Sequence, residues 1–160
     1  MNSTQEHISS AYDRDLEGIQ ARIMKMGGLV EQAILDAATA LDTRDQELAD
    51  KVRAGDKAID DLEELLNEEA ARVIALRAPT AIDLRVILSV MRMSANLERI
   101  GDLAKNLAKR NAVLMTMPSM NGSTSQLRRM SRDVQVMLKD ALDSYIQRDE
   151  ALARDVIERD

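Results

Sequence analysis

The chain has 160 residues, with 22 Lys and Arg against 28 Asp and Glu, and a formal net charge of −6. This acidic balance argues against a general affinity for nucleic acid or anionic lipid, since both require a basic surface. Cysteine is absent, which excludes disulfides and thiolate metal sites. The start from Met1 to Ser10 is polar, and no uncharged apolar stretch reaches the length of about 18 residues that suggests a membrane span. We therefore expect a cytoplasmic protein with no signal peptide, membrane span or nucleic-acid partner.

The composition also indicates the fold class. Phe and Trp are absent, and only two Tyr, two Pro and six Gly occur. The core must therefore consist of Leu, Ile, Val, Ala and some of the ten Met. Ala, Leu, Glu, Lys, Arg, Met and Gln dominate the sequence, and these residues favour helices. We predict an all-α protein.

Three long helices are predicted before the first clear linker. The first covers residues 6–41, on a stripe of apolar residues spaced three and four apart. Gly27-Gly28 interrupts it, which indicates a bend or a close contact with another helix. A turn at Asp45 precedes the second helix, and Ala78-Pro79 ends it because the residue before proline disfavours helical angles. The third helix extends to about Met115.

The rest of the chain is predicted to be a linker and two shorter helices. Residues 116–125 are rich in Met, Ser, Gly and Pro, a composition typical of a linker. A fourth helix follows over 126–146, and a fifth begins near Arg148. We therefore expect a three-helix bundle over 6–115, a linker over 116–125 and a further helical unit over 126–160.

An internal repeat relates these two units. Residues 130–160 align with residues 26–56 without gaps, and ten of the 31 positions are identical, where chance gives about two. The later copy stops at the counterpart of Asp56, so we predict one complete repeat and a truncated second one. Its apolar stripe must pack on the first bundle, exchange with another chain or stay loosely ordered, and we expect a homodimer or a domain-swapped oligomer. The identical residues are Met130, Val134, Asp140, Ala141, Arg148, Asp149, Leu152, Ala153, Val156 and Asp160.

Two pairs of acidic residues face each other in the predicted hairpin of helices two and three. Asp56 and Asp60 share one helix face, as do Glu98 and Asp102, since residues four apart lie about 6 Å from each other. Counting outward from Pro79 places Asp60 level with Glu98, roughly 30 Å from the turn. Four facing carboxylates repel one another unless a positive charge lies between them. Acidic residues on helices are more often a solvated face, and that reading stays open.

The facing acids form a ligand set made only of oxygen atoms. Glu63 and Asn106 are further candidate ligands beside the four carboxylates, by their helical spacing from Asp60 and Asp102. Hard cations suit such a site: Mn²⁺, Mg²⁺, Ca²⁺ or iron, singly or as a cluster. A ferritin-like di-iron site is excluded because it needs two Glu-x-x-His motifs, whereas His7 is the only histidine. A solvated terminal residue is the default reading of His7, against a catalytic or phosphate-accepting role.

The segment Leu97-Glu-Arg-Ile-Gly-Asp-Leu-Ala-Lys-Asn-Leu-Ala108 resembles the PhoU family, the phosphate-transport accessory regulators. The likeness extends to the opening helix, at His7-Ile-Ser-Ser-Ala-Tyr-Asp-Arg-Asp-Leu16 and Met26-Gly27. It includes the middle of the chain at Asp56-x-x-Ile-Asp-x-Leu-Glu63 and Asp83-Leu-Arg85. The resemblance covers essentially all of residues 6–160.

The resemblance implies a function that the residues alone do not give. Members of the family are built from two similar three-helix bundles, and some bind clustered metal ions through acidic motifs that correspond here to Asp56/Asp60 and Glu98/Asp102. It implies a non-enzymatic cytoplasmic adaptor that reaches the membrane only through its partners. These partners are the ATPase of the phosphate ABC transporter and a sensor histidine kinase, and the adaptor represses the phosphate-starvation response when phosphate is plentiful.

Two other classes of function remain open at the level of the sequence. Carboxylates with a bound metal ion activate water in many hydrolases, so a metal-dependent phosphohydrolase is one alternative. No serine, lysine or threonine stands beside an evident base, and no glycine-rich phosphate loop occurs. A structural helical scaffold without a metal ion is the other alternative.

Overall fold

The structure is a computed structural model that describes the backbone of residues 3–118 and 123–160 and the side chains of residues 11–118 and 125–160. These residues form helices joined by short turns, which confirms the predicted all-α class. His7 and part of the predicted linker lie outside the described side chains. In the described ranges no helix is long and apolar enough to cross a membrane. The helices are α1 (Ser3–Thr43), α2 (Gln46–Arg77), α3 (Ala81–Lys109), α4 (Asn111–Met115), α5 (Ser123–Gln147) and α6 (Glu150–Arg159).

Helices α1, α2 and α3 pack against one another as a three-helix bundle. Each contributes aliphatic side chains at helical spacing to one core, including the fully buried Ile23, Leu66 and Ile87. Full burial of one such side chain contributes about 1.5–3 kcal/mol, so the shared stripe is the main force holding the bundle. The α2–α3 connection is a tight turn in which Ala78 adopts left-handed angles and its N–H reaches the carbonyl of Ile74 at 3.0 Å.

The later helices pack on the bundle through α1. Helix α5 lies along α1, whereas α6 contacts only α5 among the described helices. The close approach of α1 and α5 occurs at Gly27, where an added Cβ would lie 2.3 Å from Leu142 Cδ1. The next residue, Gly28, has no such neighbour within 4 Å. The glycine pair therefore marks a close helix contact, as predicted, and only its first member makes that contact.

The internal repeat is visible in the backbone. The turns before α2 and α6 both place an arginine in left-handed angles, with φ of 56° at Arg44 and 54° at Arg148. An aspartate follows in each case and accepts a hydrogen bond from the backbone N–H three residues later, Asp45 at 2.9 Å and Asp149 at 3.0 Å. These side chains satisfy N–H groups that a helix start leaves unpaired. The repeated sequence thus encodes one repeated turn.

The two copies of the repeat differ in how much of their apolar face is covered. Met26 and Val30 in α1 are completely buried. Their counterparts in α5, Met130 and Val134, are 63% and 46% exposed. In the first copy α2 and α3 cover this face, and no described helix takes that place in the second copy. Of the arrangements predicted for the second unit, the structure shows α5 packed on the first bundle, with part of its apolar stripe left open.

A carboxylate groove between two helices

The antiparallel hairpin of α2 and α3 brings the predicted acidic residues into one groove. Its register is set where Ile59 packs against Gly101, since a Cβ added there would lie 3.0 Å from Ile59 Cδ1. Counting from Pro79 had placed Ile59 about two residues earlier on α3. The difference arises because residues 78–80 belong to neither helix, so side-chain packing fixes the register and the turn does not.

A lysine supplies positive charge within the groove. Lys105 Nζ donates a hydrogen bond to Asp56 Oδ2 across the two helices, and another to Asp102 Oδ1 at 3.3 Å on its own helix. Asp56 is only 4% exposed, so its charge requires a partner inside the protein. These two hydrogen bonds raise the pKa of the Lys105 ammonium above its usual value, which keeps it charged.

The remaining carboxylates feel both burial and each other. The pKa of Asp60 is raised mainly by burial and next by the charge of Asp56, while Lys105 opposes the rise. The pKa of Glu98 is also raised, mainly by burial and next by the charges of Asp102 and Glu63. Each of these shifts requires the interacting carboxylates to lie within a few ångströms of one another. The predicted grouping of Asp56, Asp60, Glu98 and Asp102 is therefore present in the fold.

The two further candidate ligands lie at different places. Glu63 stands close enough to Glu98 to raise the pKa of that residue, and its Oε1 accepts a hydrogen bond from Asn67 at 3.2 Å. Asn106 is exposed, and its Oδ1 accepts a hydrogen bond from Lys109 at 3.3 Å. The sequence interpretation did not single out Lys105. Its position three residues after Asp102 was the available signal, because that spacing places both on one helix face.

The groove has the donor chemistry for a hard cation, although its side chains are arranged around Lys105. Within residues 11–118 and 125–160, no group of three or more acidic or histidine side chains is arranged to hold a metal ion. Asp56 Oδ1, however, is buried and has no hydrogen-bond partner among the described atoms. A buried carboxylate oxygen without a partner is unusual, and a cation is one group that satisfies it. The residues present therefore fit a hard metal ion, provided that the Lys105 ammonium moves away.

Comparison with known proteins decides the family. A family model described as the PhoU domain matches residues 23–110 and 127–160, which include both helices of the carboxylate groove. The chain belongs to the PhoU family. The match also covers α5 and α6, in agreement with the internal repeat.

Curated and solved PhoU proteins resemble the chain over nearly all of its length. It is 39% identical over 155 residues to a phosphate-specific transport system accessory protein PhoU homolog of Caulobacter vibrioides, covering 97% of this chain and 67% of the relative. A homolog of the same name from Pseudomonas putida is 37% identical over 158 residues, which cover 99% of this chain and 62% of the relative.

Two crystal structures of PhoU proteins share the fold. The one from Pseudomonas aeruginosa superposes with a TM-score of 0.87 at 36% identity and covers 92% of this chain and 70% of its own. The one from Streptococcus pneumoniae superposes with a TM-score of 0.82 at 26% identity and covers 92% and 69%. The chain thus spans about two thirds of the length of the relatives that it matches.

Proposed function

We propose that the chain is a regulatory accessory protein of a phosphate-specific transport system. In this proposal it acts in the cytoplasm, catalyses no reaction and transmits the state of the phosphate ABC transporter, through its ATPase, to a sensor histidine kinase. It represses the phosphate-starvation response when phosphate is plentiful. The observation that carries the proposal is the 39% identity, over 97% of this chain, to a relative named as an accessory protein of that transport system.

Direct binding and a reporter assay test this role. Purified chain is titrated against the transporter ATPase and against the cytoplasmic part of the kinase. In parallel, it is expressed in a bacterium whose own PhoU gene is deleted and whose phosphate-starvation promoter drives a reporter. Binding to either partner together with restored repression in phosphate-rich medium supports the proposal. Normal expression with neither binding nor repression contradicts it, and metal-dependent hydrolysis of a phosphate ester favours the phosphohydrolase instead.

The proposal includes a cation site in the carboxylate groove. Asp56, Asp60, Glu98 and Asp102 would hold Mn²⁺, Mg²⁺, Ca²⁺ or iron, with Glu63 beside them. A bound cation would neutralise facing acids and so favour the closed α2–α3 hairpin. The unpartnered oxygen of buried Asp56 and the raised pKa values of Asp60 and Glu98 support this part, because all three indicate uncompensated negative charge.

Thermal unfolding with and without metal tests the cation site. A cation at about 100 times its dissociation constant stabilises the folded state by roughly 2.7 kcal/mol. We expect a rise in melting temperature for the wild type that the double variant Asp60→Asn/Glu98→Gln does not show. The matched control Asp61→Asn/Glu64→Gln removes two exposed charges on the same helix outside the groove. An equal metal response in wild type and groove variant contradicts the site.

Association of two copies belongs to the proposal as well. The open apolar face at Met130 and Val134 supports a homodimer or a domain-swapped oligomer, because water-exposed apolar surface of this kind favours contact with another chain. Sedimentation at several protein concentrations distinguishes these assemblies from a monomer.

A further inference from the structure

The outer surface of α3 carries a row of arginines with no role in the groove. Arg85, Arg92 and Arg99 are spaced seven residues apart, and all three are exposed. Seven residues make almost two helical turns, so the three side chains lie on one line with steps of about 10.5 Å. The residues that α3 buries lie on the opposite side: Ile87, Val90, Ser94, Leu97, Gly101, Ala104 and Ala108. The row therefore points directly away from the bundle.

These arginines have no partner within the described part of the protein. None of the three makes a side-chain hydrogen bond or an ion pair with any described residue. Arginines elsewhere do find such partners: Arg22 pairs with Glu69 at 2.9 Å, and Arg77 pairs with Asp15 at 3.2 Å. Three unpaired guanidinium groups on one line are unexpected in a chain of net charge −6, where acidic residues outnumber basic ones.

Apolar side chains accompany the row. Leu88 and Leu103 are 43% and 61% exposed, and helical spacing places both beside the line of arginines. We call Arg85, Leu88, Arg92, Arg99 and Leu103 the arginine ridge. A surface of regularly spaced cations and leucines is typical of one that receives an amphipathic helix, where apolar contacts supply affinity and charges at heptad spacing select the partner.

We propose that the arginine ridge is a docking surface for an acidic amphipathic helix of a partner protein, with Asp or Glu at every seventh position and leucine-like residues between them. A helix lying along the ridge meets only these side chains. A flat anionic membrane would also approach Glu98 and Asp102, which lie on the neighbouring face and repel it. The inference is independent of the proposed cation site, since no ridge residue lies in the groove.

Fluorescence anisotropy with a designed probe tests the proposal. The probe is a labelled helical peptide of about 24 residues with Glu at every seventh position and Leu between, and the control peptide has the same composition with irregular spacing. We expect the regular peptide to bind more tightly and to weaken with added salt. The variant Arg92→Glu/Arg99→Glu should bind at least about tenfold more weakly. Arg129→Glu/Arg132→Glu, two exposed arginines on α5, makes the same change of net charge and should leave binding within about twofold.

Further arms make the result decisive. Asp60→Asn/Glu98→Gln should leave peptide binding unchanged, so failure of the cation site and failure of the ridge are separable. Arg92→Gln/Arg99→Gln should weaken binding less than the charge reversal does. Equal binding of the two peptides, or equal loss in ridge and control variants, overturns the proposal. It is also overturned if the ridge variant instead abolishes binding to phosphatidylglycerol vesicles, or abolishes self-association in sedimentation, while the regular peptide fails to bind.

Discussion

At the scale of single residues, Lys105 decides whether the groove is tolerable without metal. It holds the carboxylate of Asp56, which is 4% exposed, and it partly offsets the mutual repulsion of the other acids. A protein cation and a metal ion would therefore compete for the same oxygens. We infer that metal binding requires the flexible Lys105 side chain to swing out, and that its departure is the main local rearrangement.

Replacing Lys105 with methionine separates these two cations. Lys105→Met keeps most of the aliphatic stem but leaves Asp56 as a buried charge without a partner, so unfolding free energy should fall by about 1–3 kcal/mol without metal. Added Mn²⁺ should restore more stability to this variant than to the wild type, because no ammonium competes for the site. Chemical denaturation with and without Mn²⁺ measures both effects.

The neighbouring Lys109 offers the control for this experiment. Lys109 is exposed, and its hydrogen bond goes to Asn106 rather than to a groove carboxylate. Lys109→Met should change stability by no more than about 0.5 kcal/mol, with the metal response of the wild type. A metal response that is lost in Lys105→Met would mean that the lysine assists binding, contrary to the competition inferred here.

The raised pKa values of Asp60 and Glu98 predict a pH dependence of stability. Because the folded state binds these protons more firmly than the unfolded state, metal-free stability should receive a favourable contribution as pH falls through the folded-state pKa values. The repulsion is fully present above those values. Asp60→Asn removes part of it, so the metal-free variant should be more stable than the wild type at about pH 7 and gain less on acidification. Denaturant titrations at about pH 7 and about pH 5 measure the difference.

An exposed acid of the same helix distinguishes this effect from a general loss of negative charge. Asp61 pairs with Lys57 at 2.8 Å on the solvent side of α2. If Asp61→Asn stabilised the protein as much as Asp60→Asn, the net charge of the chain would be the cause rather than the groove. The sequence predicted which four carboxylates meet, since helical spacing and the Pro79 turn determine that. It did not predict that Lys105 lies among them, because that depends on a side-chain conformation and on a register set by Ile59 and Gly101.

At the scale of helices, the pair Gly27 and Gly28 shows how finely two elements fit. Only Gly27 faces α5, where Leu142 leaves no room for a methyl group, and Gly28 faces open space. Gly27→Ala should therefore push α5 away from α1 and cost about 1–3 kcal/mol despite the better helix propensity of alanine. Gly28→Ala should stabilise the protein by up to about 1 kcal/mol. Thermal unfolding of the two variants makes the comparison, and equal effects would mean that α5 does not dock there in solution.

The helices themselves were largely predictable, and their contacts were not. Helix boundaries follow from local chemistry: the Asp45 and Asp149 caps and the Ala78-Pro79 turn are each readable in the sequence. The sequence also indicated that Gly27-Gly28 marks an irregular or crowded site. Which glycine makes the contact, and with which helix, depends on the packing of residues more than 100 positions apart, and local patterns carry no information about that.

At the scale of the whole molecule, one repeated sequence stands in two environments. The turn geometry at Arg44 and Arg148 is nearly identical, because it is a local property of the repeat. Burial is not repeated, because it depends on the α2–α3 hairpin that covers only the first copy. The repeat was predictable from ten identities, as was the open apolar stripe. The docking of α5 on α1 was one of three alternatives that the sequence left undecided.

The equivalent residues Met26 and Met130 turn this contrast into a measurement. Met26 is fully buried, so Met26→Ala should lower the unfolding free energy by about 2–5 kcal/mol through lost burial and a new cavity. Met130 is 63% exposed, so Met130→Ala should cost less than about 0.5 kcal/mol in dilute solution. Because both changes replace methionine by alanine within a helix at equivalent repeat positions, helix propensity cancels from the comparison. A large cost at Met130 that grows with protein concentration would place this face in contact with a second copy, whereas a large cost independent of concentration would contradict the exposure of the face.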